Sequence, residues 1–293
     1  MKKNIAVVAG GNSGEHDISM HSGYNIADKL DKSLFNVYFI HLKGKDWNYV
    51  SPNKEIYPID KNDFSLKLKN NRIRFDCVFI AIHGNPGEDG KLQGYFDMLG
   101  IPYVGCDAAV SALTFNKNLC NKFLAAHGVH MAESIRLFKN EEFSVDNIIK
   151  KIGIPCFVKP CNSGSSVGVS KVNTQQELIP AIKNAFLHDD QLIIERFIKG
   201  REITCGVMSI QGKIQALAIT EVISKNSFFD LEAKYDPNLA EEITPAPIDD
   251  TIKKQCETTS KNIYKYLGCK GIVRVDYIFN DEILCFIEIN TIP

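Results

Sequence analysis

Apolar positions in the first third of the chain come in short, nearly unbroken runs separated by a stretch of helical periodicity. Asn4 to Ala9, Val37 to Leu42 and Asp76 to Ile82 are almost continuously apolar, and Ile18 to Leu30 repeats at helical spacing. Strands of this texture, buried on both faces with helices between them, predict a doubly wound parallel sheet in an α/β lobe. The polar, glycine-rich segments Gly10 to Ser19 and His83 to Gly94 each follow directly on a predicted strand. Open α/β sheets bind ligands beyond the carboxyl ends of their strands, which is where both segments are expected.

The pattern changes from about Asp107. A helical stretch through Lys122 is followed by a strand from Pro155 to Pro160, a hairpin-like segment from Gly164 to Val172, a helix near Gln175 to Leu187 and a strand from Leu192 to Ile198. Strands then dominate, at Glu202 to Ser209, Lys213 to Ile223, Gly271 to Phe279 and Ile283 to Asn290, with one helix between Asp249 and Leu267. The chain reads as an α/β protein, α+β overall, with lobes at 1–106, 107–191 and 192–293, the last mostly antiparallel. Its 293 residues agree with more than one core, since single cores stop growing at roughly 250 to 300 residues.

Composition adds exclusions. With 44% hydrophobic and 24% charged residues the chain is ordinary globular material. Thirty-four basic residues against 35 acidic ones leave a formal charge of -1, so no basic field draws it to nucleic acid or an anionic membrane, and small molecules are the expected partners. The early apolar run Ile5 to Ala9 is too short for a signal-peptide core or a transmembrane helix, which predicts a cytoplasmic protein. Nine cysteines show no C-x-x-C pair and no zinc-ligand spacing, so buried free thiols are expected. Cys161 stands out for its place just before a candidate phosphate loop.

Neither a G-x-x-x-x-G-K-[ST] loop nor a G-x-G-x-x-G after a strand is present. The candidate phosphate site is Phe157-Val158-Lys159-Pro160 followed by Gly164-Ser165-Ser166-Val167-Gly168-Val169. There a strand delivers a lysine, and small residues let backbone N–H groups approach phosphate oxygens. Alone, a tight β-hairpin explains these residues equally well. The second cluster is Arg274-Val275-Asp276 with Glu288-Ile289-Asn290 on the next strand. Side chains alternate along a strand, so Arg274 with Asp276 and Glu288 with Asn290 can converge four polar groups on one point, where Asp276, Glu288 and Asn290 offer the hard oxygens that magnesium requires. A surface cross-strand ion pair is the alternative, although the apolar setting of Glu288 and Asn290 makes unpaired burial costly.

Six segments in order carry a more specific signal. They are Gly10-Gly11-x-Ser13-x-Glu15-His16-x-x-Ser19, His83-Gly84-x-x-Gly87-Glu88-Asp89-Gly90-x-x-Gln93-Gly94, Pro102-Tyr103-Val104-Gly105, Val158-Lys159-Pro160 with Gly164-Ser165-Ser166-Val167-Gly168, Ala233-Lys234-Tyr235, and Glu288-x-Asn290-Thr291-x-Pro293. Together they resemble the successive signatures of D-alanine:D-alanine ligases of the ATP-grasp superfamily, across essentially the whole chain.

The resemblance implies an ATP-grasp fold, with the N-terminal lobe followed by two lobes enclosing ATP. It implies a cytoplasmic ligase that joins two D-alanine molecules for peptidoglycan, using ATP as co-substrate and two Mg²⁺, for which Mn²⁺ can substitute. By position, Lys117, Lys159, Ser165 and Ser166 are expected at the phosphates. Glu195-Arg196-Phe197-Ile198 is expected at the adenine, with Glu195 and backbone groups reading its edge, and Glu202 at the ribose. Lys234 is expected to reach the terminal phosphate from a closing loop at 224–238, and Asp276, Glu288 and Asn290 to bind metal. Glu15 is expected to bind the first ammonium, linked to Ser165 and Tyr235, with His83 near the same pocket and Arg274 on the oxyanion. Tyr235 argues for D-alanine as the second substrate, since related ligases accepting D-lactate carry histidine there. The family is commonly dimeric through its N-terminal lobe, which makes a homodimer the expectation.

The resemblance has two departures. Asn116 stands where the family has aspartate, a change expected to touch only a local cap or hydrogen bond. The chain also stops at Pro293, before a glycine that completes the oxyanion hole, a Ser-Leu pair for the second carboxylate and a terminal helix. A truncated chain of reduced activity is therefore expected, since one oxyanion donor alone is worth roughly 10²- to 10³-fold in rate. The competing readings are an ATP-grasp ligase making D-alanyl-D-lactate or D-alanyl-D-serine, and a nucleotide-binding protein without catalysis.

Overall fold

The computed structural model describes residues 1–224, 239–280 and 283–293. They form two compact units, one of Met1–Ala112 with Cys269–Ile272 and Thr291–Pro293, the other of Leu113–Gly268 with Val273–Asn290.

The first unit is built on an eight-stranded sheet in the order β6-β5-β4-β3-β2-β1-β7-β8. Its parallel part comprises β1 (Lys3–Gly10), β2 (Phe35–Lys43), β7 (Cys77–Ile80) and β8 (Tyr103–Val104). Helices α1 (His16–Lys29) and α2 (Lys91–Leu99) cover opposite faces, as alternation along β1 requires. Ile5, Val7 and Ala9 pack with Phe39 and with Met20, Ile26 and Leu30 of α1, whereas Ala6 and Val8 pack with Ile40, Val78, Ile80 and with Leu92 and Phe96 of α2. The antiparallel strands β3 (Asp46–Val50), β4 (Ile56–Asp60), β5 (Ser65–Leu68) and β6 (Asn71–Ile73) extend the sheet beyond β2. The sequence reading gave this segment no element, because three- to five-residue strands joined by tight turns are too short to show a period.

Gly10 ends β1 at φ +106°, and a Cβ there would collide with the Leu42 carbonyl oxygen. This close approach lets Gly11 N–H donate to Leu42 O at 2.8 Å and turns the chain towards Glu15.

The second unit holds two antiparallel sheets. The four-stranded one runs β11-β10-β12-β9, from β9 (Ser134–Phe138), β10 (Cys156–Pro160), β11 (Ser170–Val172) and β12 (Gln191–Arg196). Strand β12, which opens the third lobe expected from sequence, pairs with β10 and β9 here. Helices α5 (Val145–Ile152) and α6 (Gln175–Ala185) bury Ile148, Ile152, Leu178 and Ile182 against Val158, Leu192 and Ile194. The helical stretch expected from Asp107 to Lys122 is two helices, α3 (Ala108–Phe115) and α4 (Lys117–Ala125). They break at Asn116, whose side chain caps α4 by accepting from Leu119 N–H at 3.0 Å.

The five-stranded sheet runs β15-β14-β13-β16-β17, from β13 (Arg201–Ile210), β14 (Lys213–Ser224), β15 (Ala240–Ile243), β16 (Ile272–Phe279) and β17 (Leu284–Asn290), with α7 (Asp250–Leu267) between β15 and β16 in sequence. Val273, Val275 and Tyr277 of β16 are fully buried, and the Tyr277 hydroxyl lies 2.7 Å from Ser260 Oγ of α7, itself fully buried. Removing one partner of a buried hydrogen bond leaves the other unsatisfied. Tyr277→Phe should therefore cost about 1 to 3 kcal/mol in urea unfolding, with Ser260→Ala/Tyr277→Phe recovering part of the loss; an unchanged midpoint in the single variant would show the bond to be idle.

Candidate functional site

Strand β10 alternates buried Cys156, Val158 and Pro160 with Phe157 and Lys159 on the other face. The Lys159 ammonium lies 2.7 Å from Glu195 Oε2, with side-chain exposures of 16% and 10%, and 5.3 Å from the Phe157 ring. Burial alone would lower the lysine pKa, but the Glu195 carboxylate, with Glu288 and Glu202 behind it, outweighs this and holds it above its ordinary value. Glu195 Oε1 accepts at 3.0 Å from the amide of buried Asn121.

Lys117 opens α4. Its ammonium is 3.2 Å from Glu288 Oε2 and donates to Ser163 O at 2.9 Å, while its backbone N–H donates to Cys161 O at 3.0 Å. Between β10 and β11 the chain makes a turn at Gly164–Val167, with Val167 N–H donating to Gly164 O at 3.1 Å. Ser165 and Ser166 sit at φ +48° and +57°, the left-handed pair of a type I′ turn. The glycine-serine loop is the connection of a β10–β11 hairpin.

On β16 and β17 the register sets Arg274 opposite Asn290 and Asp276 opposite Glu288. Arg274 grips both Asp276 oxygens, Nε to Oδ1 at 2.8 Å and an Nη to Oδ2 at 2.9 Å, and Asn290 donates to Oδ2 at 3.0 Å. Two facing carboxylates and an amide make a hard-oxygen set of the kind a divalent cation takes, and their charge is compensated here by Arg274 and Lys117. Among the described residues no three His, Cys, Asp or Glu side chains group as a metal site; beside the two carboxylates stands the Asn290 amide.

The adenine candidates divide. Glu195 faces Lys159, and the Phe197 ring lies 6.0 Å from Phe157 and 4.3 Å from the Lys171 ammonium. The Arg196 side chain instead binds the carbonyls of Ile152 (3.0 Å) and Lys151 (2.9 Å) at the end of α5, together with Glu133 (2.8 Å), and its backbone N–H donates to Glu133 O at 2.9 Å. Ile198 follows β12, and Glu202 lies in β13 within the field of Lys159. Lys234 and Tyr235 lie outside the described residues. Cys161 is fully buried, and burial pushes its thiol up to about 12, which makes it an inert packing residue.

In the first unit Glu15 follows the Gly10–Gly11 turn; its N–H meets Ser13 Oγ at 3.2 Å, and Ser13 Oγ donates to His83 O at 2.8 Å. This places the two glycine-rich segments together beyond β1 and β7, as expected from sequence. His83 donates from Nδ1 to Ile292 O and its Nε2 lies within hydrogen-bond distance of Ser22 Oγ, both at 3.1 Å, so its ring joins α1 to the 291–293 segment.

Asn121 and Lys171 escaped the sequence reading. For Asn121 a signal existed, because it lies four residues after Lys117 and therefore on the same face of α4.

Residues 123–293 match the family described as D-ala D-ala ligase C-terminus, and residues 4–106 match the D-ala D-ala ligase N-terminus. The chain belongs to the D-alanine–D-alanine ligase family. It is 48% identical over 296 residues to the D-alanine–D-alanine ligase of Parabacteroides distasonis, covering 100% of this chain and 89% of that protein. The VanG D-Ala:D-Ser ligase of Enterococcus faecalis superposes with a TM-score of 0.86 at 32% identity, over 100% of this chain and 91% of the other. The D-alanine–D-alanine ligase of Bacillus anthracis complexed with ATP superposes with a TM-score of 0.78 at 31% identity, over 100% and 87%. The protein is a ligase with the ATP-grasp fold of this family, and none of its described helices is long and apolar enough to cross a membrane.

Two outcomes follow from the geometry. Glu195→Gln strands the Lys159 ammonium in a shielded place, at a cost of about 3 kcal/mol near pH 9. Because the folded lysine pKa is raised, its stabilisation is complete below the unfolded value of about 10.4 and is lost as pH rises through the folded one. Thermal unfolding of wild type and variant should therefore converge as pH climbs past 10; a constant gap would contradict the pair. Iodoacetamide mapping of the native protein at pH 8 should leave Cys161 unmodified with or without nucleotide, and fast labelling there would refute its burial.

Proposed function

We propose that this protein joins two D-alanine molecules to D-alanyl-D-alanine for peptidoglycan synthesis, with ATP converted to ADP and phosphate. The observation that carries this reading is the gathering of Lys117, Lys159, Glu195 and Glu288 around one region of the second unit, in a chain belonging to this ligase family. The four- and five-stranded sheets serve as the two lobes that enclose ATP.

In this reading Lys117, Lys159 and the Ser165–Ser166 turn hold the phosphates, the backbone of Glu195–Ile198 with the Glu195 carboxylate takes the adenine, and Glu202 takes the ribose. Lys234 approaches the terminal phosphate. Asp276, Glu288 and Asn290 hold two Mg²⁺, or Mn²⁺ in their place, which neutralise charge developing on the transferred phosphoryl group. The carboxylate of the first D-alanine attacks the γ-phosphorus and ADP leaves, giving an acyl phosphate. The amine of the second D-alanine then attacks the acyl carbon, and phosphate and a proton depart. Glu15 binds the first ammonium with His83 as a further substrate residue, Arg274 stabilises the tetrahedral oxyanion, and Ser165 and Tyr235 are the remaining catalytic residues. Rate comes from holding reactants together and neutralising charge, so no covalent enzyme intermediate is needed. The protein acts in the cytoplasm as a homodimer, without nucleic-acid or membrane partners.

A second reading, D-serine as second substrate, is kept open by the VanG D-Ala:D-Ser ligase, whose fold is as close a match as those of the D-alanine enzymes. Closer sequence similarity to a D-alanine–D-alanine ligase, at 48%, favours D-alanine. Phosphate release from ATP and Mg²⁺ should depend on D-alanine, should not rise when D-serine or D-lactate is added to it, and should yield D-alanyl-D-alanine from the mixture, and Lys159→Ala should lower it by about a hundredfold or more. Release without D-alanine, or preference for D-serine, would overturn this assignment.

A further inference from the structure

The two candidate metal-binding carboxylates of the second unit each carry an internal cation. Asp276 is held by both nitrogens of the Arg274 fork, and Glu288 lies 3.2 Å from the Lys117 ammonium. Lys117 is not a loosely placed surface lysine. It is fixed at the first position of α4, its ammonium donates to Ser163 O at 2.9 Å, its backbone N–H is bound to Cys161 O, and its side chain is only 16% exposed, against 27% for Glu288. The Lys159 ammonium also lies in the field of Glu288.

A bare divalent cation arriving at Glu288 must shed water, break this ion pair and then remain beside the displaced Lys117 ammonium. At a few ångströms in a shielded site such repulsion weighs against the cation. A polyphosphate changes the balance, because its anionic oxygens offer Lys117 a better partner and free the carboxylate. We propose that Lys117 occupies the metal-binding carboxylate Glu288 in the nucleotide-free protein and releases it only to a polyphosphate, so that cation and nucleotide enter together and the cation alone is turned away. The inference rests on the assignment of Glu288 as a metal ligand, and gives Lys117 a second task besides phosphate binding. The consequence is counterintuitive: deleting a nucleotide-binding lysine should improve metal binding.

Mn²⁺ binding to the nucleotide-free protein, followed by electron paramagnetic resonance of the free ion, reads this without turnover. Lys117→Gln should tighten Mn²⁺ by about tenfold relative to wild type, whereas Lys117→Arg should not. Lys270→Gln, which removes the same charge from an exposed pair with Asp107, should leave the affinity unchanged. Equal or weaker Mn²⁺ binding in Lys117→Gln overturns the proposal, as does equal tightening in Lys270→Gln. A second measurement does not depend on that variant folding: in EDTA, Glu288→Gln should tighten ADP several-fold and more than Asp276→Asn does, and no tightening would count against the proposal. The Mn²⁺ stoichiometry of the ADP complex separates the two levels. If Glu288→Gln leaves it unchanged, the ligand assignment fails and the proposal with it. If it falls while Lys117→Gln fails to tighten Mn²⁺, only the guarding role of Lys117 is lost.

Discussion

The candidate site of the second unit depends on one constraint: charges withdrawn from water must find partners. Lys159 with Glu195, Lys117 with Glu288 and Arg274 with Asp276 are three ion pairs in which at least one member is well shielded. Ions stripped of solvent are tolerated when geometry and further hydrogen bonds compensate them, and Asn121, Asn290 and Ser163 O supply those bonds. The result is a polar cluster neutral enough to sit within a folded unit and charged enough to exchange partners with an anionic ligand.

Secondary structure makes this arrangement inexpensive. The antiparallel register of β16 and β17 sets Asp276 against Glu288 and Arg274 against Asn290 without any loop having to order them, while Val273, Val275 and Tyr277 anchor the strand from its other face. Lys159 rides on a strand whose buried alternate residues fix it, and Lys117 starts a helix capped by Asn116. In Asn116 the oxygen caps and the amide nitrogen donates to Asn162 Oδ1 at 2.9 Å, a bond that an ionised aspartate could not make. The departure from the family pattern is thus built into the local network.

Much of this was legible from sequence. Alternation along Arg274-Val275-Asp276 and Glu288-Ile289-Asn290 located the polar face, and the near-continuous apolar runs located β1, β2 and β7. What escaped includes α2 (Lys91–Leu99), β9 (Ser134–Phe138) and α5 (Val145–Ile152), the short strands at the sheet edge and one tertiary contact. Strands β3 to β6 are too short for periodicity to show, and the role of Asn121 depends on β12 bringing Glu195 to α4, a tertiary contact between residues 74 positions apart. Cys161 meets the expectation of a buried free thiol although it stands just before the glycine-serine loop.

The central claim is that Lys117 and Lys159 exchange their carboxylate partners for the phosphates of a nucleotide. Calorimetric titration of the intact protein with ADP and Mg²⁺ tests it most directly, comparing wild type with Lys117→Met/Lys159→Met. Saturable binding that falls by about a hundredfold or more in the double variant, with both proteins folded, is the predicted result. Undiminished binding in the double variant would contradict the account and require the nucleotide to sit elsewhere.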